Sequence, residues 1–246
     1  MEAFLYTDCG GRARQEDGAL FCGDVVLSSG IFLKCKSDDI YSVFCVCDGI
    51  GGLESGHEFS KYICENILKF SSGVWMDRTS AVDAVDQIQQ KVCDVFNVTG
   101  GSTMTVVCIS GRCLSFVNAG NSRAYLLRDN RLVVLSHDHT YAHNLVQCGV
   151  IDHSELATHY LASYLSFGIG TAFCEDWDKS RIEFESIFLQ DNDVVILCTD
   201  GYYAGLPEDR FISFVKNIQG MSFVDMKERF DKDMVDDNMT VIVVNC

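Results

Sequence analysis

Three carboxylates stand at the ends of apolar runs in this 246-residue chain, where a side chain can reach solvent while its backbone is anchored in a core. VFCVCDGIGG carries Asp48 and VVILCTDGYY carries Asp200, each followed by glycine, and DDNMTVIVV sets Asp237 just before a third run. Near the start, GGRARQED offers Arg12, Glu16 and Asp17 within six residues. Asp-Gly is a favoured turn dipeptide, which accounts for either pair taken singly. Two apolar strands that both deliver an acid to a rim are harder to explain by turns, because close carboxylates repel unless a cation or a proton lies between them. All-oxygen clusters of this kind select hard cations such as Mg2+ or Mn2+ over zinc.

The elements that must position these acids are legible as patterns. Runs rich in β-branched and aromatic residues at 41–47, 104–110, 114–119, 124–128, 194–199 and 240–244 read as strands. Phe59, Ile63, Ile67 and Phe70 recur at helical spacing, as do Val85, Ile88, Val92 and Val95, with Ser80 as the expected N-cap of the second helix. Residues 210–217 and 223–230 carry the same periodicity before the last strand. Strands and helices come in groups and do not alternate βαβα, which points to an α+β fold of antiparallel sheets flanked by helix pairs. With one proline, Pro207, and no linker composition, one domain over 1–246 is expected.

Bulk composition narrows the partners. A net charge of -16 disfavours nucleic acid and anionic membrane surfaces, since an acidic surface repels phosphate at long range. The thirteen cysteines are odd in number, and Cys45, Cys47, Cys108 and Cys198 sit inside apolar runs as small hydrophobes would. Cys45 and Cys47 share one face of a strand. No C-x-x-C pair occurs, which disfavours a cysteine metal site. With no signal peptide at the start and no apolar run of transmembrane length, a reducing cytoplasm is expected.

Taken in order, Arg12 with Glu16-Asp17, Asp48-Gly49-Ile50-Gly51-Gly52, Gly101-Ser102-Thr103, Asn118-Ala119-Gly120-Asn121-Ser122-Arg123-Ala124, Asp200-Gly201 and Asp237-Asn238-Met239-Thr240-Val241 resemble the metal-dependent protein phosphatase family of type 2C. The likeness spans nearly the whole chain, and DGIGGLESGHEFS is most similar to the bacterial branch. It implies a four-layer αββα sandwich of two antiparallel sheets, with a flap at about 137–170 and two Mg2+ or Mn2+ ions at one rim. By the same resemblance Asp48 bridges both ions, Asp200 and Asp237 complete one, and Glu16 with the Gly49 carbonyl serves the other, mostly through water. Asp17 holds metal-bound water, and Arg12 grips the phosphoryl oxygens. Two divalent ions about 4 Å apart hold a bridging water, acidify it and aim it at phosphorus. The planar fork of arginine pairs bidentately with phosphate. The implied activity is hydrolysis of phosphoserine and phosphothreonine in proteins, opposing a bacterial kinase, by a cytoplasmic monomer.

Departures from the family pattern carry their own expectations. Ile50 stands where many eukaryotic relatives have a histidine that protonates the leaving alkoxide, so water or the substrate takes that role. Asn121 replaces an aspartate associated with a third metal and Ala204 stands where relatives often carry another acid, so a third ion is expected to bind weakly or not at all. His137-Asp138-His139 and Leu145 with Gly149 match the start of the flap. A rival histidine metal site would use His139 and His143 at i, i+4 spacing. Trp177, Tyr202 and Tyr203 are candidates to line the site or its packing, whereas Met104 and Met239 are expected in the core. Two other functions remain open from sequence: a catalytically weak phosphoprotein-binding module, and a hydrolase of small phosphate esters.

Overall fold

The computed structural model describes residues 1–50, 55–204, 206–222, 224–225, 228 and 236–246. The chain opens with strands β1 (Glu2–Asp8), β2 (Gly18–Phe21), β3 (Asp24–Val26), β4 (Ile31–Lys36), β5 (Ser42–Cys47) and β6 (Gly49–Ile50). Helices α1 (Gly56–Ile67) and α2 (Arg78–Val95) precede β7 (Gly101–Ser102), β8 (Met104–Ser110), β9 (Cys113–Ala119), β10 (Arg123–Arg128) and β11 (Arg131–Val134). After α3 (Tyr141–Gln147) come β12 (Glu183–Phe188), β13 (Val194–Cys198), α4 (Asp200–Tyr203), α5 (Glu208–Asn217) and β14 (Met239–Asn245).

Two six-stranded sheets form, in the orders β11-β10-β13-β14-β1-β4 and β12-β9-β8-β5-β2-β3, with antiparallel neighbours throughout. The period-2 alternation of side chains decides the layers. On β14, Ile242 and Val244 point between the sheets against Leu5, Val46 and Leu197, while Val241 and Val243 face Phe211 and Phe214 of α5. On β5, Phe44 and Val46 fill the inter-sheet core, while Cys45 and Cys47 face Phe59 and Ile63 of α1 and Val85 and Ile88 of α2. The result is the expected αββα sandwich, and Met104 and Met239 are core residues as the sequence indicates.

Some local expectations need correction. The N-cap of α2 is Asp77, whose carboxylate accepts the Ser80 N–H at 2.9 Å. Ser80 lies inside the first turn and gives its hydroxyl to the same carboxylate at 2.8 Å, because a charged acceptor satisfies the free helical N–H better than a hydroxyl does. The periodic stretch at 223–230 falls largely outside the described residues. Four cysteines are not isolated hydrophobes: Cys22–Cys35 ties the β2–β3 turn to β4, and Cys93–Cys174 ties α2 to the segment after residue 173. Pairing of this kind depends on tertiary proximity, which cysteine spacing does not encode. Among the described residues no helix is long and apolar enough to cross a membrane.

Candidate metal centre

The acids come to one rim because of where their strands sit. Asp200 follows β13 and Asp237 precedes β14, which pair side by side in one sheet; Glu16 and Asp17 precede β2 and Asp48 follows β5, which pair in the other. Neither Asp-Gly pair is a β-turn. Gly49 extends into β6 and pairs with Ser102, while Asp200 and Gly201 open α4 behind the N-cap Thr199. The glycines answer to close backbone approach: a Cβ on Gly49 would collide with the Gly56 carbonyl, and one on Gly201 with the Asn238 carbonyl. Gly51 and Gly52 lie outside the described residues.

Each acid is held by named partners. The Asp48 N–H donates to Thr103 Oγ1 at 2.8 Å and its carbonyl accepts the Thr103 N–H at 2.9 Å, fixing the strand end against β7 and β8. Its carboxyl contacts that of Asp200, across from the other sheet. Asn121 donates its amide to Asp200 Oδ2 at 3.0 Å. Asp17 is buried, and its Oδ2 accepts hydroxyls from Thr240 at 2.7 Å and Thr199 at 2.9 Å. The Glu16 N–H donates to Asn238 Oδ1 at 2.7 Å, beside Asp237. The Glu16 carboxyl carbon lies so near α1 that a Cβ on Gly56 would be 3.1 Å from it. Arg12 reaches across the opening, donating from its guanidinium to Asp237 Oδ2 at 2.9 Å and to the Asp236 carbonyl at 2.9 Å.

This arrangement is electrostatically costly as it stands. Burial pushes the Asp48 carboxyl well above its ordinary range, and Asp200 and Asp17 push it further. Burial likewise raises Asp17 to about 7 against the lowering effect of its two hydroxyl donors, and raises Asp200 although contacts from Asp48 and Asn121 oppose the shift. No three carboxylates among the described residues bring oxygens within 4.8 Å of one another, as like charges dictate. The buried Asp17 Oδ1 has no hydrogen-bond partner. An unpartnered buried oxygen beside mutually repelling acids, with only oxygen donors around it, fits hard divalent cations.

Sequence reasoning found the acids, and named Thr103, Asn238 and Thr240 as motif members, but gave none of the residues that seat the acids that role. Thr199 and Thr240, whose hydroxyls hold Asp17, Asn238, which joins residues 9, 14 and 16 across the rim, and Thr103 are all buried. Their signal was polar residues directly at the ends of apolar strands. Beside Asp200 lies a cavity of about 540 Å³ lined by Asn121, Asp138, His159, Tyr203 and Ala204. Arg123 forms its wall, stacked 3.7 Å over the Tyr203 ring and paired bidentately with Asp138 at 2.7 and 2.8 Å. Of the aromatic candidates only Tyr203 lines this cavity; Tyr202 packs on Phe211, and Trp177 stacks on Phe167. Among the described residues no third ligand joins His139 and His143 to make the rival histidine site. His139 is turned inward, its Nδ1 accepting the Gly120 N–H at 3.0 Å, whereas His143 is half-buried and 6.2 Å, ring to ring, from His137.

Comparison with known proteins places the chain among phosphatases of this fold. The family profile of protein phosphatase 2C matches residues 9–145. The serine/threonine phosphatase stp of Listeria welshimeri is 23% identical over 237 residues, covering 88% of both chains. Among solved structures, the serine/threonine phosphatase of S. agalactiae superposes with a TM-score of 0.78 at 19% identity, over 99% of this chain and 98% of that one. The catalytic domain of the phosphatase PstP, solved in complex with two manganese ions, superposes at 0.70 with 20% identity, over 99% and 98%. With the profile covering more than half of its length, the chain belongs to the protein phosphatase 2C family.

Proposed function

We propose that this chain is a metal-dependent protein serine/threonine phosphatase whose centre is built on Asp48. The observation that carries the reading is the close approach of Asp48 and Asp200 from opposite sheets, beside Asp17, whose buried Oδ1 has no hydrogen-bond partner. Asp48, Asp200, Asp237, Glu16 and the Gly49 carbonyl would hold the ions, Mg2+ or Mn2+, with Asp17 placed behind them to accept hydrogen bonds from water. When bound, such ions supply an acidified water and offset the charge that develops on phosphorus.

The chain's own side chains do the rest. Arg12 stands at the mouth, free enough to exchange Asp237 for phosphoryl oxygens and orient the phosphate. Thr199 and Thr240 keep the Asp17 carboxylate fixed, and Thr103 fixes the Asp48 backbone. Half-buried Ile50 donates no proton, so the leaving alkoxide takes its proton from water or substrate. Residues 1–246 act as one domain, with 137–170 as a flap over the cavity. Tyr160 and Tyr164 are 75% and 60% exposed there, which suits a protein-sized substrate more than a small ester. The partner is a phosphoprotein of a bacterial kinase, and the enzyme works as a monomer. The cytoplasmic reading rests on the buried free thiols of Cys45, Cys47, Cys64, Cys108 and Cys198, while Cys22–Cys35 and Cys93–Cys174 weigh against a reducing compartment. A free-thiol count on protein alkylated in its native cell decides this.

The test is hydrolysis of a phosphothreonine peptide and of an aryl phosphate with Mn2+, with Mg2+ and with chelator. Metal-dependent turnover of the peptide is expected; turnover that survives chelation, or is confined to the aryl ester, overturns the reading. Arg12→Ala is expected to raise KM for the peptide by tenfold or more, with metal binding retained or tightened in calorimetry, since the guanidinium no longer pairs with Asp237.

The third ion is read as weak or absent because Asn121 gives Asp200 an N–H where relatives have a carboxylate, and Ala204 adds no donor. Asn121→Asp is therefore expected to create an additional Mn2+ site. A fully occupied third site in the native chain at low millimolar Mn2+ would count against this.

A further inference from the structure

Away from the rim, one other set of ligating side chains converges. Cys45 and Cys47 of β5 and Cys64 of α1 bring their sulfurs within 4.8 Å of one another, with 3.5 Å between the strand pair. All three residues are 0% exposed. No other group of three His, Cys, Asp or Glu side chains among the described residues meets as closely. The rim chemistry uses none of them.

The fold builds this meeting point from both sides. Alternation on β5 turns Cys45 and Cys47 to the helix-facing side, and the apolar stripe of α1 that carries Phe59, Ile63 and Ile67 also presents Cys64. Gly18 on the neighbouring strand leaves room for it, since a Cβ there would lie 3.3 Å from Cys64 Sγ. The surroundings are the apolar core of α1, α2 and the sheet.

We propose that Cys45, Cys47 and Cys64 form a buried three-sulfur site for Cu+. Soft thiolate sets select Cu+, zinc or iron–sulfur clusters. Structural zinc takes four protein ligands and the common clusters four cysteines, whereas three ligands converge here among the described residues. Cu+ is content with three. Sulfurs about 2.3 Å from one ion lie about 4 Å apart in a trigonal plane, which small side-chain rotations reach from the observed spacing. Binding is ligand exchange with no electron transfer: Cu+ leaves a donor complex, two S–H protons pass to solvent, and two thiolates with one thiol hold the ion. One net negative charge remains. Because Cys47 precedes Asp48, the ion clamps α1 to the strand that presents the centre. The closed core means that loading requires α1 to open or the chain to refold.

The test uses the full chain, reduced and anaerobic, refolded with Cu+ supplied as its bathocuproine disulfonate complex and then desalted. About one copper per chain is expected, with three sulfur neighbours by X-ray absorption and a raised Tm. Cys64→Ser is expected to lower retained copper at least tenfold. Two chains are expected to retain it: one with Cys9, Cys113, Cys148 and Cys246, which are free and not buried, changed to Ser, and one with Cys22, Cys35, Cys93 and Cys174, whose disulfides the reduction opens, changed to Ser. Copper that follows either set of four instead, absence of retained copper, or fewer than three sulfur neighbours overturns the proposal. The absorption measurement needs only the native chain, so it decides even if Cys64→Ser fails to fold. Phosphatase activity does not enter any readout, so failure here and failure of the phosphatase reading are separate results.

Discussion

Asp48→Asn is expected to lower kcat on a phosphothreonine peptide by a thousandfold or more, about 4 kcal/mol of transition-state stabilisation. In the same protein, stripped of metal at neutral pH, the thermal midpoint is expected to rise. Both effects have one cause. Asp48 is pushed towards neutrality by burial and by Asp200 and Asp17, so its charge opposes folding until divalent ions offset it. The amide keeps the shape and the backbone hydrogen bonds to Thr103 while removing that charge. Activity within tenfold of the native chain, or a lowered midpoint in chelator, contradicts the account.

The pH dependence of the metal-free chain is the second large effect. Asp17 binds its proton more tightly folded, at about 7, than at its ordinary value of 3.8. Between those values the folded chain carries more protons than the unfolded one, so stability is fully present below about pH 4 and falls as pH rises towards 7. Asp48 and Asp200 are displaced in the same direction and add to the loss. For Asp17 alone the span corresponds to on the order of 4 kcal/mol. Urea unfolding in chelator from pH 4 to 8 measures it. Saturating Mn2+ at pH 7.5 is expected to recover the loss, because ions that bind only the folded chain stabilise it by mass action. A metal-free chain most stable at pH 8 would falsify this assignment.

How much of this was legible beforehand follows from what each signal encodes. Strands β8, β9, β13 and β14 and helices α1 and α2 announce themselves because each buries a face, and burial leaves a period in the sequence. Strand β4, largely solvent-facing at Leu33 and Lys34 on a sheet edge, leaves a weaker pattern. Asp48, Asp200 and Asp237 were found as acids terminating or preceding apolar runs. The glycines after Asp48 and Asp200 looked like turn formers, yet Gly49 makes room for the carbonyls of Gly56 and Glu16 and Gly201 for that of Asn238, and only the assembled fold shows those approaches. The same holds for Thr199 and Thr240, which converge on Asp17 from 182 and 223 residues away. Asp77, three residues before Ser80, takes the helix cap because the helix already begins at Arg78, so that Ser80 lies in its first turn and donates to the Asp77 carboxylate.

The central claim is that strand ends from two sheets build a metal centre around Asp48, and diffraction from crystals grown with Mn2+ tests it most directly. At the manganese absorption edge, the account predicts two anomalous peaks at the rim, both within coordination distance of Asp48, one also touching Asp200 and Asp237. A map with no peak at the rim, or with manganese bound by groups other than Asp48, contradicts it.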